Sequence, residues 1–209
     1  MKKLSVVLFI LSLFLAMPSW GQVEVGILGG ATFPDLSIDP DDPDVSYDTR
    51  TGFTAGGILV INITRAFALQ LEPSYTQKGA RADGVEREGF GVQKANVRLS
   101  YIDVPVLLKF SMGNTSVNPY LLAGPSISFL LSSKLDFDNE EITTEDLKNI
   151  TRDIDFGVNF GAGVSLALGN NQLFFEGQYN FGLIKIDEVE SLSFKTRGLQ
   201  FKTGVAFPL

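Results

Sequence analysis

The sequence predicts an all-β fold: an eight-stranded antiparallel up-and-down transmembrane β-barrel, preceded by a cleaved signal peptide. Three observations predict it. An apolar run with a positive start opens the chain. Eight later segments alternate large apolar residues with small or polar ones, which is the period of a β-strand. The connections between these segments alternate between short turns and long polar stretches.

The N-terminal segment has the three parts of a secretory signal. Lys2 and Lys3 supply the positive charge, residues 4–17 are apolar apart from two serines, and Ser19 and Gly21 are the small residues expected before a cleavage site. The apolar run is shorter than the roughly 20 residues that a membrane-spanning helix needs. We therefore predict a signal peptide over residues 1–21 and a barrel domain over residues 22–209.

The eight predicted strands follow in order, and their even number is typical of single-chain bacterial barrels. No long 3.6-residue period competes with the strand pattern, and glycines recur where a helix would be weakened. The strands are Val23–Phe33, Gly52–Ile63, Phe67–Gly79, Val97–Met112, Val117–Ser132, Asp155–Leu168, Gln172–Ile186 and Thr196–Phe207.

The connections are sorted by length. The short ones are Thr64-Arg65, Gly113-Asn114-Thr115-Ser116 and Gly169-Asn170-Asn171, and the long ones are Pro34–Thr51, Ala80–Asn96, Ser133–Ile154 and Asp187–Lys195. Strict alternation places all long loops at one rim of an up-and-down barrel. Outer-membrane barrels have short periplasmic turns and long extracellular loops. We therefore predict an outer-membrane location, with long loops extracellular and both termini periplasmic.

The two faces of the strands differ in polarity. In the last strand Leu199, Phe201 and Phe207 share one face, whereas Gln200 and Lys202 share the other. A soluble ligand-carrying barrel of lipocalin type would bury the apolar face, whereas a membrane barrel turns it toward lipid. The bulky, aromatic apolar face and the small residues opposite favour the membrane barrel.

The inward face then carries charges of both signs at the level of the membrane. An eight-stranded lumen is barely wide enough for side chains, so we interpret these charges as a structural salt-bridge network. An ion path and a catalytic carboxylate pair are the alternatives. The predicted network comprises Glu24, Glu72, Arg98, Asp103, Lys109, Glu176 and Lys202.

Composition restricts the function classes. The chain has no cysteine, which excludes disulfides and thiolate chemistry, and no histidine, the commonest general base and transition-metal ligand. We therefore predict no enzymatic activity, no catalytic residue, no cofactor and no metal site. The formal net charge of −7, which loss of Lys2 and Lys3 makes more negative, argues against nucleic acid as a partner.

Two of the long loops are acidic. The first carries six aspartates over Pro34–Arg50, and Ser133–Ile154 carries seven acidic residues, with a short helical turn predicted at residues 143–147. Carboxylates at this density suggest calcium binding, but the spacing matches no twelve-residue calcium loop. We interpret both segments as solvated acidic loops.

One strand and its neighbours resemble a known family. Tyr101-Ile102-Asp103-Val104-Pro105-Val106-Leu107-Leu108-Lys109-Phe110, with Pro119–Ser126 and Asp155–Val164, is similar to strands of PorT-like outer-membrane β-barrel proteins of Bacteroidetes type. The resemblance implies the fold and the outer membrane, with no shared reaction or ligand. The chain departs from the usual barrel ending, since Pro208 and Leu209 follow the last aromatic, Phe207.

Several functions fit these features. The first is a structural or surface-interaction barrel whose partners are outer-membrane lipid, lipopolysaccharide or another envelope protein. The second is a narrow channel for small solutes. The third, allowed by the resemblance, is an accessory component of a protein secretion or motility system.

Overall fold

A computed structural model describes residues 23–39, 46–49, 51–87, 91–113, 116–137, 140–142, 154–183 and 193–209. Side chains are described for residues 23–34, 51–78, 99–113, 116–132, 154–183 and 197–209. The predicted signal peptide and the predicted helical turn lie outside both sets of ranges, and the side chains of both acidic loops lie outside the second set apart from Pro34 and Ile154. Within the ranges, no helix is long and apolar enough to cross a membrane.

The described residues form eleven strand segments, all paired antiparallel. They are β1 (Val23–Asp39), β2 (Ser46–Thr49), β3 (Gly52–Asn62), β4 (Phe67–Leu71), β5 (Ser74–Arg87), β6 (Gly91–Ser111), β7 (Val117–Phe137), β8 (Glu140–Ile142), β9 (Ile154–Leu168), β10 (Asn171–Gly182) and β11 (Ser193–Pro208).

These segments close into a barrel because the first strand pairs with the last. β1 is hydrogen-bonded to β3 on one side and to β11 on the other, from Glu24 opposite Pro208 to Asp39 opposite Ser193. β4 and β5 are two parts of one barrel strand, while β2 and β8 are short additions to β5 and β7. The predicted eight-stranded antiparallel barrel is therefore confirmed.

The third barrel strand, predicted as continuous over Phe67–Gly79, is interrupted at Glu72-Pro73. The interruption lies opposite Val104-Pro105 of β6. Proline has no backbone N–H, so Pro73, opposite Val104, and Pro105, opposite Glu72, remove donors from adjacent positions of the two strands. One backbone bond remains there, from the amide of Glu72 to the carbonyl oxygen of Pro105, at 3.3 Å.

The short connections form tight turns where they are described. The Thr64 hydroxyl accepts hydrogen bonds from the amides of Ala66 and Phe67, at 3.2 and 3.0 Å. Gly169 has a φ of 63°, a left-handed conformation that favours glycine. Asn114 and Thr115 of the predicted middle turn lie outside the described residues.

At the rim opposite the short turns, where the long loops were predicted, the strands are longer than predicted. The polar stretch Ala80–Asn96, predicted as a loop, is mostly a hairpin in which β5 runs to Arg87 and β6 begins at Gly91. β1 likewise continues past Pro34 to Asp39. The loop prediction was wrong here because loss of the alternating pattern marks the end of the lipid-facing band, whereas backbone pairing continues beyond it.

The polarity of the barrel is inverted relative to a soluble protein. Phe201 is 53% exposed and Ile27 68%, whereas Glu176 is 4% exposed and Lys109 8%. Aromatic pairs mark the ends of the apolar band: Phe67–Phe110 near the turns, and Phe53–Tyr75 toward the long loops. The large outward residues further include Leu108, Leu121, Phe129, Phe156, Phe160, Phe175, Tyr179 and Leu199.

The depth of an outward position should determine what a charge costs there. Ala162 lies mid-band, between Leu121 of β7 and Gly177 of β10. We expect Ala162→Arg to lower the free energy of unfolding in lipid vesicles by about 2–4 kcal/mol, because a guanidinium at the bilayer midplane loses its hydration.

The control is Leu168→Arg, since Leu168 is exposed beside the Gly169 turn. We expect a loss of only about 0–1 kcal/mol there. Both are measured by urea unfolding in vesicles. Equal costs at the two positions would contradict the lipid-facing assignment.

Candidate functional site in the barrel lumen

The lumen is filled by large side chains packed against small ones. A Cβ added to Gly163 would lie 2.5 Å from the Tyr120 ring, and one added to Gly204 would lie 2.6 Å from Phe174. The glycines of β9 and β11 therefore provide the space for the aromatic rings of β7 and β10. Apolar residues also point inward, in two buried clusters: Leu28, Ile58, Val60, Ala68 and Phe174, and Leu107, Tyr120 and Leu122.

An ion pair lies at the centre of the lumen. Lys202 Nζ of β11 lies 2.6 Å from Glu72 Oε2, which is contributed by the interrupted third strand. Both side chains are almost completely buried. Lys202 also donates to Gln178 Oε1 of β10, at 3.1 Å. Burial of two charges is tolerable because each meets the other and further hydrogen-bonding groups.

A second carboxylate joins this pair. Glu176 Oε2 accepts hydrogen bonds from Tyr120 and from Gln70 Nε2, at 3.1 and 3.2 Å. Gln178 Nε2 lies 2.9 Å from Glu176 Oε1 and 3.1 Å from both oxygens of Glu72. We call Gln70, Glu72, Tyr120, Glu176, Gln178 and Lys202 the central cluster. It joins the third barrel strand, β7, β10 and β11 across the lumen.

The other predicted network residues lie apart from the central cluster. Asp103 forms its own ion pair with Lys78 at 3.3 Å, toward the long loops. Glu24 lies near the turns, where Oε1 accepts from Asn62 and Gln172 amides at 2.9 and 3.3 Å.

Lys109 and Arg98 complete the predicted set. The Lys109 ammonium stands 4.1 Å from the centre of the Tyr120 ring. Arg98 lies on β6 opposite Gly79 and position 134 of β7, and its side chain lies outside the described part of the chain.

The predicted network lacks four residues that contact its members. Gln70, Gln178 and Lys78 alternate in phase with Glu72 and Glu176, so the strand period places them inward. The predicted network contains charged residues only, whereas Gln70 and Gln178 take part in most of the hydrogen bonds of the central cluster. Lys78 is charged, and its phase on the strand is the signal that indicates it. Tyr120 was assigned no role because an aromatic on a membrane strand resembles a lipid-facing one.

The chemistry available in the lumen follows from this geometry. Each carboxylate of the central cluster accepts hydrogen bonds from at least two donors. Lys202, the lysine of the cluster, donates to the carboxylate of Glu72. The described residues include no group of three or more acidic side chains placed to hold a metal ion. The central cluster is therefore an arrangement that links strands, with its polar groups directed at one another.

Closed antiparallel pairing, an apolar outer band and a polar interior together define an integral membrane β-barrel. The chain belongs to the family described as outer membrane protein beta-barrel domain, whose model matches residues 16–188. This membership places the protein in the outer membrane. No curated protein gave a significant sequence match.

Solved structures agree with the fold. The outer membrane protein OprG from Pseudomonas aeruginosa is 13% identical, with a TM-score of 0.55 over 90% of this chain and 96% of that chain. Neisserial surface protein A (NspA) is 17% identical, with a TM-score of 0.50 over 88% of this chain and 97% of that chain. At this identity the similarity concerns the fold alone.

Removal of one partner of the central ion pair should be costly. We expect Lys202→Met to lower the free energy of unfolding by about 3–5 kcal/mol, because Glu72 would then be a buried carboxylate without its cation. The measurement is urea unfolding of the refolded barrel, with the gel mobility of unheated samples as the second readout.

The double variant Glu72→Gln/Lys202→Met is the control, since it removes both charges and keeps an amide that can accept hydrogen bonds. We expect it to recover most of the loss. If Lys202→Met unfolds like the wild type, the central ion pair does not contribute to stability.

Proposed function

We propose that this protein is a sealed, non-catalytic outer-membrane barrel that acts through its long-loop rim. One observation carries the proposal: the central cluster fills the lumen at mid-height. Gln70 and Glu72 are 0% exposed, and Tyr120 and Gln178 are 1% exposed. A lumen closed by bonded side chains leaves little room for solute flow, which favours a role at the long-loop rim over transport through the barrel.

The proposed orientation places the long loops outside the cell and both termini in the periplasm. It is supported by the asymmetry of the rims. Three short connections lie at the end where Val23 and Leu209 meet through a backbone bond of 2.8 Å, whereas the β5–β6 hairpin extends the opposite rim. Outer-membrane barrels direct their longer loops outward.

Lipopolysaccharide is the proposed lipid partner at this rim. Arg197 faces outward near the long loops, and its guanidinium stands 4.8 Å from the centre of the Phe181 ring. Its Nε has no hydrogen-bond partner among the described residues. A guanidinium at the border of the apolar band is suited to bidentate contact with phosphate.

A second candidate is an accessory role in secretion or motility, in a PorT-like branch of the family. The motif at Tyr101–Phe110 favours it. The structure gives that motif a packing role: Tyr101, Asp103, Pro105, Leu107 and Lys109 all point into the lumen. Because these residues of the motif fill the lumen, the motif supports a barrel fold in common with PorT-like proteins more directly than a binding partner in common with them.

Conductance separates a sealed barrel from a narrow channel. We expect purified wild-type protein in a planar bilayer to give no stepwise current, because the central cluster blocks the lumen. A large porin reconstituted in the same bilayer serves as the positive control. Discrete, reproducible current steps from the wild-type barrel would contradict the sealed barrel and support a narrow channel for small solutes.

Orientation can be tested with single cysteines, since the chain has none of its own. We expect Arg87→Cys, at the end of β5, to react with a membrane-impermeant maleimide on intact cells. Arg65→Cys, in the first short turn, should react only after the outer membrane is permeabilised. The reverse pattern would overturn the orientation.

The same Arg87→Cys variant separates the two roles when it carries a photo-crosslinker. Adducts with lipopolysaccharide support the surface role, and adducts with a defined envelope protein complex support the accessory role.

A further inference from the structure

A polar cavity of about 430 Å³ opens below the central cluster, at the rim of the short turns. We call it the turn-end cup. Glu24, Lys109, Ser165 and Gln172 contribute to its walls, and Arg65 lies at its mouth. The Lys109 ammonium lies against the ring of Tyr120, which is 1% exposed and belongs to the central cluster that closes the lumen on the other side of the cup. The cup is therefore accessible from one side only.

Lys109 differs from Lys78 and Lys202, which are also buried in the part of the chain that the structure describes. Lys202 is bonded to Glu72 at 2.6 Å and Lys78 to Asp103 at 3.3 Å. Lys109, 8% exposed, has no carboxylate within ion-pair distance among the described residues, and its ammonium stands over the face of the Tyr120 ring. A buried ammonium retains unused donors in this arrangement, and they border the cavity.

The remaining charges of the cup set the sign and size of a ligand. The Glu24 carboxylate is held by two amide groups, from Asn62 and Gln172. Glu24 carries one negative charge, and Lys109 and Arg65 carry one positive charge each. The cup therefore has one net positive charge, which a single monoanion balances. A cavity of this volume is at the small end of those that hold organic ligands.

We propose that the turn-end cup binds a small monocarboxylate, with its carboxylate at the Lys109 ammonium. The hydroxyl and amide groups of the wall supply neutral hydrogen bonds, and Arg65 attracts the anion to the mouth. Glu24 opposes a second negative charge on the ligand, so a monoanion is preferred to a dianion. This site is separate from the long-loop rim, and the ligand enters from the side of the short turns.

The test uses the folded barrel in detergent micelles and acetate and butyrate as probes. We expect saturable shifts of amide resonances around the cup, with a dissociation constant of about 1 mM. Lys109→Met should weaken binding by about tenfold or more, whereas Glu24→Gln should tighten it, because a like charge is removed. Methylammonium should cause no such shifts.

Arg197→Gln is the matched control, since it removes a cation from the outer surface near the opposite rim. It should leave the dissociation constant unchanged. The retained unheated-gel mobility of each variant shows that the barrel is folded. Unchanged acetate binding in folded Lys109→Met, weaker binding in Glu24→Gln, or no saturable shift in the wild type would each overturn the proposal.

Discussion

Every backbone N–H and C=O group within a bilayer must find a partner in the protein, because lipid offers none. The pairing of β1 with β11 meets this requirement by removing the free edges that an open sheet would expose. All other features follow from this closure. Once the sheet is closed, the side chains on its outer face contact lipid, and those on its inner face fill the narrow lumen.

The small interior explains why polar residues are concentrated there. Eight strands leave a lumen just wide enough for side chains, so inward residues contact residues from strands across the barrel. Glu72 and Lys202 meet although 130 positions separate them in the chain. Such contacts fix the relative position of distant strands. Glycines such as Gly163 are needed for the same reason, since an aromatic ring occupies the space of the missing side chain.

Much of the fold could be predicted from the sequence because lipid and lumen impose opposite demands on alternate residues. That two-residue period is local, and it identified all eight strands and the outward position of Phe201. The ends of the strands at the long-loop rim could not be predicted in this way. After Lys78 the sequence shows no regular contrast in polarity between alternate residues, so the continuation of β5 to Arg87 is not indicated by the pattern.

The lumen site was predictable in part. Alternation placed Glu72, Glu176 and Lys202 inward, but their partners depend on the stagger between strands, which no local pattern encodes. The sequence suggested one network, whereas the structure separates Asp103 with Lys78 from the central cluster. Glu24 meets amides, since strand stagger places Asn62 and Gln172 beside it. Because amide side chains are uncharged, a charge pattern in the sequence does not indicate these contacts.

The short strands β2 and β8 give the long-loop rim a property that the barrel wall lacks. Each pairs with one neighbour only within the described residues, over four and three positions. An edge of this length offers few hydrogen bonds to a strand from another molecule, so strand pairing between adjacent barrels is weakly favoured. The long-loop rim can therefore extend paired backbone beyond the bilayer without promoting sheet-to-sheet aggregation between barrels.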